Sequence, residues 1–302
     1  MKSCFFAFIL GLVMILGSCF HAPNTPNSKI LVVGHRGTRG YMPENTWPSF
    51  QKALEMGVDA IEMDVVVSRD NELIVSHDTW MLAEICLDPK GNPIPESEAK
   101  NHNIFHMSFD EIQLYDCGTK PHPRFPLQQK LRVTKPRLTE VISKAEEWGK
   151  AHGKSIQYFI EIKSLPEEEG TFHPSPVVFG KITLDTVRSL GILERTTILS
   201  FDPRPLQVIK RLDASVPLDF LVENNNGVEK NLALLGFKPD FYGVDYTLLS
   251  KIDVEFLHKN GIRVAPWTLN EIADIRLMVD MGIDAITTDY PDRTFGVLEK
   301  RK

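Results

Sequence analysis

Cysteine is scarce in this chain, basic charge has no surplus, and long uncharged apolar stretches are confined to the N-terminal end. Four cysteines in 302 residues cannot build the dense disulfide framework of small secreted scaffolds. A hydrophobic core must therefore carry the fold. Lys and Arg total 34 against 40 Asp and Glu, a net charge of -6, so there is no basic footprint for nucleic acid. No protein partner is implied by the composition either. A hydrophobic fraction of 42% with 25% charged residues is that of an ordinary globular protein with a sizeable core.

The apolar stretch at the N-terminus reads as a targeting signal. Lys2 precedes an uncharged run from Phe5 to Leu16, long enough for a signal h-region and too short for a comfortable membrane span. The run ends in Leu16-Gly17-Ser18-Cys19, which resembles the lipobox of bacterial lipoproteins. That resemblance implies a signal peptide over residues 1–18, a lipidated Cys19 and an extended polar tether over 19–29. The mature chain is then expected as an exported cell-envelope lipoprotein, held on the periplasmic or outer-surface side of a bacterial membrane. A plain secretory signal cleaved nearby is the alternative. Once Cys4 is removed and Cys19 acylated, only Cys86 and Cys117 remain. In an oxidising compartment this pair can close a loop of about thirty residues.

Beyond the tether, apolar runs alternate with helical periodicity. Strands are expected at 30–33, 60–67, 158–162, 197–201, 218–222, 241–244, 263–267 and 285–288. Helices are expected at 45–56, 138–152, 176–190, 205–212, 228–235, 250–260 and 270–281. Gly57, Gly191, Gly236, Gly261 and Gly282 stand where helix C-caps belong. Eight strands separated by helices predict an α/β chain folded as one (β/α)8 TIM barrel over residues 30–298. The second strand is followed by a hairpin, with its turn in Arg69-Asp70-Asn71-Glu72 and its return arm at 73–76. A turn centred on Asp70-Asn71 would set His77 directly opposite Asp64, roughly 5 Å apart between Cβ atoms. Residues 79–135, rich in proline, asparagine and charge, break the rhythm and are expected to form an insertion before the next helix, over the strand ends.

A barrel places its chemistry at the C-terminal ends of its strands. His35 and Arg36 follow the first strand, Glu62 and Asp64 lie two apart on one face of the second, and Glu161 and Lys163 repeat that spacing on the third. Carboxylates gathered on one face repel unless a cation lies between them, and hard cations such as Mg2+ and Ca2+ take oxygen ligands. Histidine titrates near neutrality, so His35 and His77 suit proton transfer. Arg36 and Lys163 can meet a phosphate, while Trp267 and Phe201 offer an apolar wall. His106, His122 and Arg124, all in the insertion, are expected to serve at the surface. The inventory is that of metal-assisted phosphate ester hydrolysis.

His35-Arg36-Gly37, Pro43-Glu44-Asn45-Thr46, Glu62-Met63-Asp64, Ser76-His77-Asp78, Phe159-Ile160-Glu161-Ile162-Lys163, Ala265-Pro266-Trp267-Thr268 and Ile286-Thr287-Thr288-Asp289-Tyr290-Pro291 resemble, in order, the glycerophosphodiester phosphodiesterases. The resemblance implies a metal-dependent TIM-barrel hydrolase that cleaves glycerophosphodiesters, such as glycerophosphocholine or glycerophosphoethanolamine, to sn-glycerol 3-phosphate and an alcohol. It implies Glu62, Asp64 and Glu161 as ligands of one divalent cation, Mg2+ or Ca2+, and His35 and His77 as acid and base. Arg36 and Lys163 would hold the phosphoryl oxygens, with Glu44 orienting Arg36 or the ligand shell. The attacking group would be water or the glycerol 2-hydroxyl. Thr79-Trp80-Met81 departs from the Leu-x-Arg-Thr-like continuation usual in the family. Two other readings share parts of this inventory: a related phosphodiesterase acting on lysophospholipids, and a silent surface lipoprotein that binds sugars or phosphodiesters. The second fits poorly, because no histidine or metal carboxylate is lost.

Overall fold

The computed structural model describes residues 29–300; the expected signal peptide, Cys19 and nearly all of the tether lie outside them. The chain runs β1 (Leu31–Gly34), α1 (Trp47–Met56), β2 (Ala60–Val67), β3 (Leu73–Val75), α2 (Phe109–Ile112), α3 (Leu138–His152), β4 (Gln157–Ile162) and α4 (Pro176–Ser189). It continues β5 (Thr196–Ser200), α5 (Pro203–Leu212), β6 (Leu218–Val222), α6 (Val228–Leu235), β7 (Phe241–Val244), α7 (Lys251–Lys259), β8 (Arg263–Val264), α8 (Ile272–Met281), β9 (Ala285–Thr288) and α9 (Pro291–Glu299). Sequence periodicity anticipates the barrel strands and the long helices within a few residues, α9 excepted.

All the strands but β3 are parallel neighbours in the order β8-β7-β6-β5-β4-β2-β1-β9. The seam between β8 and β9 closes the barrel with fewer bonds. Asp284 donates to Val264 O at 2.9 Å and Thr287 to Pro266 O at 3.3 Å. Pro266 has no N–H to give, which explains why the regular part of β8 stops two residues before it. Parallel strands are covered on both sides, so their side chains divide between two cores. Val33, Ala60, Phe159, Leu199, Leu221, Phe241, Ala265 and Ala285 fill the barrel interior. The opposite faces pack against the helices through residues such as Ile61, Tyr158, Ile198, Phe179 and Leu206.

The hairpin is present, but its register differs by one residue from the sequence expectation. Val65 pairs with Val75 and Val67 with Leu73, and Ser76, not His77, donates to Asp64 O at 3.0 Å. The loop holds three residues instead of two. Ser68 pairs with Glu72 across Arg69, Asp70 and Asn71, and Asn71 takes φ +61, the left-handed close of a three-residue hairpin.

Residues 79–135 are more than a strap. They carry their own core, in which Met81, Ile85, Ile94, Ile104, Phe109 and Ile112 pack on Val66 and Ile74 from the outer face of the hairpin. Cys86 and Cys117 form a disulfide inside that core. A small core gains most from such a tether, because burial of a few large side chains contributes only about 1.5–3 kcal/mol each. Replacing both cysteines by serine is expected to lower the unfolding free energy by about 2–4 kcal/mol. Urea denaturation of the oxidised proteins measures this, and an unchanged midpoint would show that apolar packing alone secures the segment.

Candidate active site

Strand register builds the site. In the parallel pair β2 and β4, Asp64 stands beside Glu161, and Glu62 precedes Asp64 by two residues on the same inward face. Oxygens of Glu62, Asp64 and Glu161 lie within 4.8 Å of one another, and all three residues are buried. At that spacing each ionised pair repels by about 3–4 kcal/mol at an effective dielectric of about 20. Burial and the neighbouring carboxylates push Glu62 well above the usual carboxylate range, and burial pushes Glu161 up to about 7 despite Lys163. Asp64 is held far down, because Arg36, His77 and Lys163 outweigh its burial.

The turn after β1 supplies the principal cation. Arg36 takes φ +50 and Gly37 φ +86; a Cβ on Gly37 would lie 2.4 Å from Ser49 Oγ, so only glycine fits. This geometry aims the Arg36 backbone N–H at Glu62 Oε2, 2.7 Å away. Its side chain turns the other way. Nη1 donates to Glu44 Oε1 at 2.8 Å, and Nε lies 3.2 Å from Asp64 Oδ2. A left-handed arginine is an uncommon local cost of order 1–2 kcal/mol, accepted here where one residue serves three carboxylates. Asn45, also left-handed at φ +57, donates from Nδ2 to Asp64 Oδ2 at 2.8 Å. Lys163 Nζ donates to Glu161 Oε1 at 2.7 Å and stands 3.7 Å from Asp64 Oδ1.

Glu62, Asp64 and Glu161 fit a hard divalent cation. All their donors are oxygens, they face one point, and Asp64 Oδ1 is buried with no hydrogen-bond partner among the described residues. A cation there would relieve the repulsion that raises Glu62 and Glu161.

His35 follows β1, whose register with β9 sets Gly34 beside Thr288. The next residues on the two strands, His35 and Asp289, therefore meet across 254 positions of sequence. His35 Nδ1 donates to Asp289 Oδ1 at 2.8 Å. Asp289 also accepts from Arg39 Nε at 2.9 Å, Arg39 Nη2 at 3.0 Å and Asn270 Nδ2 at 2.7 Å, and it stays ionised far below the usual range. Nδ1 therefore keeps its proton, and Nε2 keeps its lone pair. Burial, followed by Arg39, lowers the His35 pKa to about 4. His77 lies in the same cavity, with Nδ1 3.4 Å from Asp78 Oδ2. Burial and then Arg36 and Lys163 lower its pKa as well.

The cavity holds about 870 Å³ at the C-terminal mouth of the barrel. His35, Arg36, Glu62, His77, Glu161 and Lys163 line one side, and Phe201, Trp267, Leu165 and Leu221 line another. Phe201 and Trp267 meet edge to face with ring centroids 5.3 Å apart. The insertion reaches the rim through Leu82, Glu84 and Arg124. His106 is exposed as expected, but His122 is buried, with its ring against Glu44. The surface expectation for His122 is thus corrected: its ring packs on Phe125 and under the insertion.

All the residues expected to act on substrate or metal within residues 29–300 converge on this mouth. Sequence reasoning missed Arg39, Asn45, Asn270, Lys135 and the role of Asp289. Asp289 was findable, since it closes the last strand at the catalytic face; Lys135, buried with Nζ donating to Ser76 Oγ at 2.8 Å, gave no signal.

A parallel barrel with two histidines, clustered acids and two cations at its mouth has the parts of a phosphodiester hydrolase. Residues 35–293 match the Glycerophosphoryl diester phosphodiesterase family. The chain belongs to that family, and its enzyme class is glycerophosphodiester phosphodiesterase. It is 28% identical over 297 residues to a glycerophosphodiester phosphodiesterase of Bacillus subtilis, covering 95% of this chain and 94% of that protein. A crystal structure of a family protein from Silicibacter pomeroyi superposes with a TM-score of 0.80 at 29% identity, covering 91% of this chain and 94% of the other. A phosphodiesterase from Oleispira antarctica, solved with the product sn-glycerol-3-phosphate, shares the fold at 18% identity and a TM-score of 0.69, covering 89% of this chain and 96% of the other.

The buried neutral His35 has a consequence for stability. In the unfolded chain its pKa returns to about 6.5, so between pH 6.5 and about 4 the unfolded state binds a proton that the folded state refuses. The contribution of His35 to stability must therefore fall as pH drops through that window, opposite in sign to the raised carboxylates Glu62 and Glu161. Denaturant titrations in chelator at pH 7.0, about 5.5 and about 4.5 are expected to show a steeper decline for wild type than for His35→Asn. Parallel declines would remove the inference.

Proposed function

We propose that the protein hydrolyses glycerophosphodiesters such as glycerophosphocholine and glycerophosphoethanolamine to sn-glycerol 3-phosphate and the free alcohol, with one divalent cation, Mg2+ or Ca2+. The observation that carries this reading is the buried set Glu62, Asp64 and Glu161 flanked by Arg36 and Lys163 and facing two histidines across one cavity. The product complex of the Oleispira antarctica relative supports the choice of substrate class. When bound, the cation withdraws charge from the phosphoryl oxygens and so eases attack on phosphorus.

The chain's own groups divide the remaining work. A phosphodiester monoanion repels nucleophiles, and Arg36 and Lys163 offset that charge from fixed positions that need no reorganisation. His35 accepts the proton of the attacking hydroxyl at Nε2, because Nδ1–H is committed to Asp289. The new O–P bond forms as the bond to the leaving alkoxide breaks, and His77 delivers a proton to that oxygen; the negative charge of the substrate beside it offsets Arg36 and Lys163 and favours the protonated imidazole that this step needs. The hydroxyl is that of water or the glycerol 2-position; the second choice gives a cyclic phosphate that water then opens. Phe201 and Trp267 form an apolar wall that shields the reacting centre from bulk water.

Release of sn-glycerol 3-phosphate from both substrates is expected to cease in chelator and to return with Mg2+ or Ca2+. His35→Ala and His77→Ala should each lower turnover by roughly 100-fold or more. A chelator-resistant rate, or near-wild-type turnover in both variants, would refute the mechanism.

We also infer that the chain is exported and lipidated at Cys19. The Leu16-Gly17-Ser18-Cys19 sequence supports this, and so does the Cys86–Cys117 disulfide, a bond that persists in oxidising compartments. Metabolic labelling with palmitate should mark the full chain and not Cys19→Ala; equal labelling would refute lipidation there.

A further inference from the structure

The segment from His122 to Gln128, at the end of the insertion, reaches behind the active site. His122 is buried with its side chain 1% exposed, and its Nε2 lies 3.6 Å from Glu44 Oε2. The Arg124 backbone N–H donates to His122 Nδ1 at 3.3 Å. Glu84 Oε1 also lies 3.6 Å from Nδ1; with Nδ1 accepting from Arg124, the proton of the singly protonated ring sits on Nε2, on the side of Glu44. Nε2 is buried and has no hydrogen-bond partner among the described residues, and Glu44 is the carboxylate that faces it. Glu44 gives its other oxygen to Arg36 Nη1 at 2.8 Å. A second line runs in parallel: the Arg39 guanidinium lies over Phe125, 4.7 Å from the ring centre, and Gln128 Nε2 donates to Arg39 O at 2.8 Å.

We propose that His122 is a positioning residue of the active site: it holds Glu44, and through Glu44 the Arg36 guanidinium, in place for the phosphoryl group. Glu44 is buried beside two arginines, and among the described residues its Oε2 has longer contacts, to His122 at 3.6 Å and to Arg39 Nη1 at 3.9 Å. Without His122 that oxygen keeps only Arg39. The carboxylate can then rotate away from Arg36, whose other anchor is Asp64. A guanidinium displaced by about 1 Å loses much of its effect on a reacting phosphate, since positioned charges act only where charge develops. The insertion is thereby part of the catalytic apparatus, and not only a rim.

This proposal rests on the reading of Arg36 as the phosphoryl-binding cation. It is tested by steady-state hydrolysis of glycerophosphocholine by the metal-loaded protein. His122→Met fills the space without an N–H, whereas His122→Gln keeps an N–H donor within reach of Glu44. The Met variant is expected to lose about 10-fold or more in kcat with its thermal unfolding midpoint near that of the Gln variant. The Gln variant should retain most activity. In a Glu44→Gln background, His122→Met should cost little more. A comparable loss in both His122 variants, no loss in either, or a full multiplicative loss in the Glu44→Gln background overturns the proposal; the Gln variant alone decides if the Met variant does not fold. Absence of wild-type hydrolysis in the same assay would instead overturn the reading of the substrate.

Discussion

Glu62, Asp64 and Glu161 put three carboxylates where water cannot screen them, and most of the surrounding structure answers that one constraint. Their oxygens lie within 4.8 Å of one another, so full ionisation without compensation would cost several kcal/mol in repulsion, before desolvation is counted. The chain supplies compensation unevenly. Arg36, Asn45 and Lys163 converge on Asp64, which stays ionised, while Glu62 and Glu161 are driven toward the protonated form. A bound cation and these protons compete for the same oxygens. Arg36 and Lys163 leave part of the charge of the three carboxylates unbalanced, and protons or the cation proposed above would complete the balance.

The barrel meets this constraint through register. Parallel pairing sets Asp64 beside Glu161 and His35 beside Asp289 without any local sequence signal linking the partners. Ionisable groups two residues apart, at strand ends, could be read from the sequence, since alternation fixes which face each side chain leaves. That is why Glu62, Asp64, Glu161 and Lys163 were legible. The hairpin register was not, because two-residue and three-residue loops draw on the same polar residues, and the left-handed Asn71 that closes the longer one suits either. His77 still reaches the cavity, since the bond from Ser76 to Asp64 O is the hairpin's last and His77 follows it at the cavity wall.

The supporting residues were harder to find for a different reason. Arg39, Asn270 and His122 act by touching other side chains, so periodicity carries no trace of them. The insertion compounds this: its segments are short turns and helices of three to six residues, whose order derives from a private core and a disulfide. Such a segment looks like a long surface loop in one dimension. In three, it is anchored on the hairpin at one end and grips Glu44 and Arg39 at the other.

The division of the cavity bears on specificity. Buried charge is concentrated on the side of Arg36, Lys163 and the three carboxylates, where only the phosphoryl group and a nearby hydroxyl can engage it. Phe201 and Trp267 face that side with apolar surface, and the outer rim mixes Glu84 and Glu223 with Arg124. A rim of both signs in contact with solvent discriminates weakly among headgroups, because exposed ion pairs contribute about 0–1 kcal/mol each. Buried pairs at the phosphoryl side contribute far more to discrimination. Under the function proposed above, selection in this geometry falls on the glycerophosphoryl half of the substrate and leaves the alcohol half comparatively free to vary.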